Sequence, residues 1–408
     1  MFFTSRLSFC AIRFDHILPK SSTGLNVLCK KLSSTVAESS SPKCHVPVQD
    51  KIQQQLLMRE PDQPPNPARL RVGVIGMPNV GKSTLINNLT GMPVLPTARK
   101  PDSTTSNALA ILTLDNTQIE FYDSPGIRTR SKSKKIIGNY EHANMPGQCL
   151  QEAHLCMVVV DLVTASIRRG TLSAVTILHL LKYQHVPSIL VLNKVDKMHK
   201  QHEVLSLISA LTNGTVGGMP FGPKETAPME PIEMPPLETE VTETFKNVKK
   251  IETSEINTAL KQERQILNDL SHCTGWPHFQ EVFVVSALLG ENVNELRNYL
   301  LSKAVAESWR FHSKTVTDQS TYNIAKDAVR ATLMENLNEE LPYTTKAEVM
   351  EWQSTENSLN IFIELQCVKA KHISIVENRA KTIAFGIRRR LSQVFGVNVE
   401  ITLTVNLA

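Results

Sequence analysis

Eight residues, Gly76, Met77, Pro78, Asn79, Val80, Gly81, Lys82 and Ser83, followed by Thr84, have the types and spacing to hold a polyphosphate. The two glycines allow a tight turn, so successive backbone N–H groups and the N-terminus of the following helix converge on one anionic group. Lys82 then reaches the β- and γ-phosphates, and the Ser83 hydroxyl is placed to ligate Mg²⁺. A second constellation, Asn193, Lys194, Val195 and Asp196, closes an apolar run and has the chemistry to choose the base. The Asp196 carboxylate can accept from N1–H and the exocyclic amine of guanine. Adenine would set a lone pair against it, and an unpaired buried charge costs about 2–5 kcal/mol. The residues therefore point to GTP and GDP, and an ATPase is disfavoured. Ser286, Ala287 and Leu288 follow a later apolar run, where the Ala287 N–H is placed to meet the guanine O6.

Two further pieces would read the γ-phosphate. Asp123, Ser124, Pro125 and Gly126 end the strand-like run Gln118-Ile-Glu-Phe-Tyr122; Asp123 would hold Mg²⁺ through water and the Gly126 N–H would touch the γ-phosphate. Upstream, the polar loop 98–106 offers Thr104, with Thr105 as a near alternative, as a second hydroxyl ligand to Mg²⁺. Ile127 stands where a Ras-like GTPase has the glutamine that orients water, so the water must be held otherwise. In GTPases with an apolar residue there and an asparagine in the phosphate loop, K⁺ can take the place of an arginine finger, and Asn79 matches that asparagine. The other reading of Asn79 is a loop residue that caps its own turn.

These residues need a scaffold that brings the ends of several strands together. Arg71-Val-Gly-Val-Ile75, Leu155 to Asp161, residues 186–193 and Glu281 to Val285 are apolar strands, and Leu172 to Lys182 has helical spacing. Alternating strand and helix segments predict a mostly parallel sheet with helices on both faces, with the ligand at the carboxyl ends of the strands. Beyond it, residues 318–338 carry helical spacing. Leu359, Ile361, Ile363 and Leu365 alternate as a half-buried strand, Ile383, Ile387, Leu391 and Val394 share a helix face, and Val397 to Val405 alternate again. A second, smaller domain with helices on one side of a sheet is predicted.

The phosphate loop, residues 123–126, residues 193–196 and 286–288, Arg99-Lys100, Gly275-Trp-Pro-His-Phe279 and Glu340-Leu-Pro-Tyr343 stand in an order that resembles the Era family of GTPases, and within it the mitochondrial members of animals. The likeness spans roughly residues 70 to 405. It implies an α/β P-loop GTPase domain followed by a smaller α+β type II KH-like domain. It also implies a GTP-hydrolysing switch, slow on its own, that binds small-subunit (12S) mitochondrial rRNA and assists assembly of a ribosomal subunit precursor in the mitochondrial matrix. The chain departs from the family where a KH domain carries Gly-x-x-Gly to admit a phosphate backbone: Val376, Glu377, Asn378 and Arg379 stand there. Lys369, Lys371, Arg379, Lys381, Arg388, Arg389 and Arg390 keep a basic surface for RNA, opposed after Gln366 only by Glu377 and Glu400. A nucleotide-dependent scaffold whose KH-like domain contacts protein is the alternative.

Composition agrees. The 408 residues suit two to three domains, and a net charge of +5 tilts the chain towards polyanionic partners. Seven scattered cysteines, at 10, 29, 44, 149, 156, 273 and 367, form no Cys-x-x-Cys pair and suggest a reduced compartment. No apolar run reaches the length of a membrane span, so the protein reads as soluble or peripheral; the resemblance implies a monomer off the ribosome, with peripheral contact to the inner membrane as the membrane reading. Residues 1–40 hold five basic residues against Asp15 and Glu38, among many Ser and Thr, the chemistry of a mitochondrial transit peptide; the other reading is a disordered tail. The expected organisation is a leader and linker over 1–65, with a stiff proline-rich stretch at 61–67, the GTPase domain over 66–310 and the KH-like domain over 311–408. Within the GTPase domain, residues 214–245 carry six prolines and six glutamates and read as a mobile acidic insertion.

Overall fold

The computed structural model describes residues 44–98, 108–124, 126, 149–167, 170–198, 203–220, 265–338, 340–355 and 358–407. The expected leader, the loop bearing Thr104 and Thr105, Pro125, Ile127 and residues 221–245 of the acidic insertion lie outside them.

Strand β1 (Ala68–Ile75) lies in the middle of the larger sheet. It is parallel to β3 (Thr117–Asp123) on one side and to β4 (Leu155–Asp161) on the other, and β5 (Ser188–Asn193) and β8 (Phe279–Val284) continue the parallel run. Among the described residues of this sheet, only β2 (Ala108–Leu114), at the outer edge beside β3, and the short β9 (Val305–Ala306), beside the start of β1, run antiparallel. The register decides where function can sit: Val74 pairs with Asp123, Ile75 with Val158, Asp161 with Asn193 and Leu192 with Val284. Gly76, Ser124, Lys194 and Val285 therefore leave the sheet along one edge.

The parallel strands are apolar at nearly every position because both faces are covered. On one face, Met157, Val159 and Val191 pack with α2 (Lys82–Thr90) and α6 (Val293–Ser302). On the other, Cys156, Val158, Leu190 and Leu192 pack with α3 (Leu162–Ile167), α4 (Ala174–Lys182) and α5 (Val204–Leu211). A small ribbon, β6 (Thr215–Val216) and β7 (Met219–Pro220), opens the segment expected as an insertion.

The C-terminal domain runs α7 (Thr321–Asn336), α8 (Leu341–Thr344), β10 (Lys346–Ser354), β11 (Ser358–Cys367), α9 (Ala370–Glu377), α10 (Ala380–Phe395) and β12 (Asn398–Leu407). Its sheet order is β10-β11-β12, with β11 antiparallel to β10 and parallel to β12, which is a type II KH-like arrangement. Leu359, Ile361, Ile363 and Leu365 of β11 meet Ile383, Ile387, Leu391 and Val394 of α10 in one core, as their spacing predicts. α7 and α10 come together at Gly386, where an added Cβ would lie 2.6 Å from the Thr332 methyl.

The expected boundary at residue 65 needs correction. Residues 44–58 are neither leader nor linker but part of the folded C-terminal body. Val46 and Val48 enter its core, the Val46 N–H donates to the Val394 carbonyl (3.2 Å), and the Trp352 indole N–H donates to the Val48 carbonyl (3.2 Å). Helix α1 (Asp50–Met58) follows, and Asp50 accepts from the N–H and hydroxyl of Thr321 at 3.0 Å each, satisfying donors that the start of α7 would otherwise leave unpaired. Gln53, 1% exposed, donates to the carbonyls of Thr317 (3.0 Å) and Gln319 (3.2 Å) in the connection between the domains. The proline-rich stretch is tied down as well: Gln63 exchanges two 2.9 Å hydrogen bonds with the Trp309 backbone. Gln53→Ala is expected to leave both connector carbonyls buried without their donor and to destabilise the protein by about 1–3 kcal/mol; equilibrium urea unfolding checks this, and Gln54→Ala, on the exposed side of α1, should change little.

Candidate functional site

The loop between β1 and α2 takes its shape from positions that only particular residues tolerate. At Gly76 (φ 154°) a Cβ would run into the Val159 carbonyl oxygen, and at Gly81 (φ 96°) into the Asn193 side-chain amide. Asn79 adopts a left-handed backbone, φ 61°. The loop curls over Lys82, whose ammonium donates to the carbonyls of Gly76 and Met77 at 3.2 Å each. Burial pushes the Lys82 pKa below the usual lysine range, against the pull of the nearby Asp123 carboxylate. Ser83, in the first turn of α2, donates to Asp123 Oδ2 at 2.6 Å, so the end of β3 and the start of α2 share one buried polar point. Ser124 anchors the next step by donating to the Val74 carbonyl (2.7 Å). Gly126 lies against the phosphate loop, where a Cβ would stand 2.6 Å from Pro78 Cα.

The second constellation is fastened to the first. Asn193 donates from Nδ2 to the Val80 carbonyl (2.8 Å), while its Oδ1 accepts from the N–H groups of Lys194 (2.8 Å) and Ala287 (2.9 Å). Lys194 (φ 67°) crosses to the Asn79 carbonyl (2.6 Å) and to Asp161 Oδ2 (2.9 Å). The Ser286 hydroxyl donates to Asp196 Oδ1 (2.7 Å), which fixes one carboxylate oxygen and aims the group into the cleft that it lines. Val195 donates its N–H to the Val285 carbonyl (3.2 Å), and Leu288 stands 70% exposed at the rim. The free Ala287 N–H expected for a guanine oxygen is instead held by Asn193. That amide thus joins three loops, and Ala287 reaches a base only by sharing its proton.

Sequence reasoning missed Asp161 as a partner of Lys194. Its signal was a strand ending in an acid just before a helix: Asp161 Oδ1 also accepts from the Val163 N–H (3.0 Å) at the start of α3. It also missed one wall. The cleft, about 1000 Å³, is lined by the phosphate loop and Asn193, Lys194, Asp196 and Lys197 but equally by residues 93–98 and by Asp327 of α7 and Arg389 and Gln393 of α10. Burial pushes the Asp327 carboxyl up to about 6. Arg390, counted with the basic RNA surface, turns into this cleft: it pairs with Glu335 (2.6 Å) and donates to the Thr97 hydroxyl (3.5 Å). The expectation that it faces RNA is corrected accordingly, because its charge is already matched inside. Lys369, Lys371, Lys381, Arg388 and Arg389 are exposed; Arg379, also exposed, donates to the Asn336 carbonyl at 2.7 Å.

Chemically, the cleft offers backbone donors and an ammonium for phosphates, a carboxylate for an amide edge, and a hydroxyl with a carboxylate for a hard cation. Ser83 and Asp123 fit Mg²⁺ by oxygen donor type, and the glycine-shaped cradle fits a polyphosphate. The comparisons agree. A family model described as a 50S ribosome-binding GTPase matches residues 71–194. The chain is 31% identical to "GTPase Era, mitochondrial" of Danio rerio over 96% of its own length and 88% of that protein. With the protein of the same name from Salmo salar it shares 34% over 92% and 85%. A crystal structure of Era in complex with MgGDPNP and a fragment of 16S ribosomal RNA superposes with a TM-score of 0.57 at 24% identity, covering 84% of this chain and 94% of that one. Likeness above 30% along nearly the whole length, on a fold and a cleft of this kind, makes the chain a member of the Era family of GTPases.

Proposed function

We propose that this GTPase is a mitochondrial switch that binds the small-subunit (12S) rRNA in its GTP form and assists assembly of the small ribosomal subunit in the matrix. The observation that carries the reading is the shared cleft: the nucleotide loops and helices of the KH-like domain line one cavity, so what fills it on the GTPase side is felt by α7 and α10. In this reading residues 76–84 and Gly126 hold the phosphates, Ser83 and Asp123, with Thr104, hold Mg²⁺, and Asn193, Asp196 and Ala287 hold guanine. Water adds to the γ-phosphorus, the bond to the β–γ bridging oxygen breaks, and GDP leaves with inorganic phosphate. The Era–RNA structure supports an RNA partner, and the names of the fish relatives support the compartment. Among the described residues no helix is long and apolar enough to cross a membrane; we propose a monomer off the ribosome that touches the inner membrane at most peripherally.

Crosslinking the intact protein to RNA in its own organelle, with GDP and with a non-hydrolysable GTP analogue, tests this. Crosslinks at one small-subunit locus in a single nucleotide state are expected; crosslinks only to protein would favour the scaffold reading, for which the missing glycines of the α9–α10 turn speak. A second expectation concerns K⁺, which Asn79 would help to hold beside the phosphates and which would offset charge developing between them. Hydrolysis should then run faster in KCl than in NaCl at matched ionic strength, and equal rates would remove Asn79 from that role.

A further inference from the structure

Helix α10 shows three sides. Ile383, Ile387, Leu391 and Val394 fill the C-terminal core. Gly386 and Arg390 face α7 and the nucleotide cleft. The third side looks outward, and Phe385 stands in the middle of it, 67% exposed. On a helix of 3.6 residues per turn its neighbours at i−4, i−3, i+3 and i+4 are Lys381, Thr382, Arg388 and Arg389, all exposed. Arg388 donates to the Asn398 side-chain oxygen (3.0 Å) beside the platform, and Arg389 sits at the border with the cleft that it also lines. From Ala380 to Phe395 the helix carries no acidic residue.

A lone exposed apolar side chain is ordinary. A flat aromatic ring with a cation on each side along the same helix face is a different object: bases stack on such a ring while the cations take the phosphates on either side, and single-stranded nucleic acid has that alternation of π-face and charge. A protein or lipid partner would instead call for a broader apolar patch, whereas here the exposed positions around the ring are three cations and a threonine. The place where a KH domain admits the backbone of RNA is not built for it in this chain. Val376 is buried within α9, none of residues 376–379 has a positive φ, the Glu377 carboxylate is exposed, and the Arg379 guanidinium donates to the Asn336 carbonyl. We infer that single-stranded RNA lies along the outer side of α10, with a base stacked on Phe385 and phosphates held by Lys381 and Arg388. The inference rests on the RNA-binding reading above and replaces its glycine loop with a side-chain platform, so recognition is tolerant of sequence and steep in salt.

The test uses the full chain bound to a non-hydrolysable GTP analogue and a fluorescein-labelled 20-nucleotide oligo(U), read by anisotropy over a range of KCl. Phe385→Ala should weaken binding about 5- to 100-fold. Phe385→Leu should weaken it similarly, because its bulk is apolar but it has no ring, while Phe385→Trp should restore at least wild-type affinity. Lys381→Gln should flatten the slope of log K against log salt by about 0.7. Short-wavelength ultraviolet crosslinking should mark the peptide carrying Phe385. Because Phe385 is exposed, melting temperatures and GTP affinity should stay at wild-type values. Affinity within twofold of wild type in Phe385→Ala, or Leu serving as well as Phe, overturns the stacking platform while leaving RNA binding standing. A wild-type protein that binds no oligo(U) and shows no RNA crosslinks overturns the RNA reading itself, and the platform with it.

Discussion

Asp196→Asn is expected to lower GTP affinity by about 10²- to 10³-fold, the loss of a charged acceptor facing two guanine donors in a partly desolvated cleft. The variant should fold normally, since an asparagine oxygen can still accept from the Ser286 hydroxyl that holds Asp196 Oδ1 at 2.7 Å. Its amide would then present one acceptor and one donor to the base. Xanthine, which offers N1–H beside a carbonyl oxygen where guanine has its amine, matches that pair. Calorimetric titration with GTP, XTP and ATP checks the exchange: XTP should become the best ligand, and retained GTP binding would mean that the guanine is read elsewhere.

Lys82→Met separates function from fold. The ammonium lies under the phosphate loop between the Gly76 and Met77 carbonyls, where it would neutralise charge on the β- and γ-phosphates. Its loss should cut GTP hydrolysis by about 10³-fold or more, since phosphoryl transfer depends on such electrostatic stabilisation. The nucleotide-free protein should be no less stable than wild type, because a methionine of similar length removes a charge that burial already disfavours. The sign of the pH effect follows from linkage. The Lys82 pKa in the folded protein is lowered from 10.5, so the unfolded chain binds the proton more tightly. The penalty is fully present below the folded value and fades as pH rises towards 10.5. Denaturant midpoints measured over the pH range leading up to 10.5 should rise with pH in the wild type, and this part of the slope should vanish in Lys82→Met. Unchanged turnover in the variant would displace Lys82 from the site.

The nucleotide site was legible because each of its parts is a short, continuous segment whose composition states its backbone: Gly76 and Gly81 at turns that a Cβ would block, and apolar runs that end in Asp123, Asn193 and Ser286 at one edge of the sheet. The fold class was legible for the same reason, through runs buried on both faces. What escaped is what only distant contacts create. Strand β10 mixes Lys346, Glu348 and Glu351 with Val349 and Trp352 at an edge, so its alternation is diluted by charge. Helix α1 carries three consecutive glutamines, and nothing in that stretch announces that Gln53 will be buried against a connector more than 260 residues away. Arg390 reads like its neighbours Arg388 and Arg389 until the helix is placed and one guanidinium swings towards Glu335. The Ala287 N–H looked available because its acceptor, Asn193, stands 94 residues earlier in the chain, and only the folded sheet brings the two together.

The docking of residues 44–58 orders events in time. The Val46 N–H needs the carbonyl of Val394, and Asp50 needs the first turn of α7, so the start of the described chain has no seat until almost the whole polypeptide has emerged and the last long helix has formed. Contacts that span such a length of chain close late, after the local structure they join. Residues 44–58 are therefore the final piece to settle, and they settle as a brace across helices and strands of the C-terminal body that have already formed.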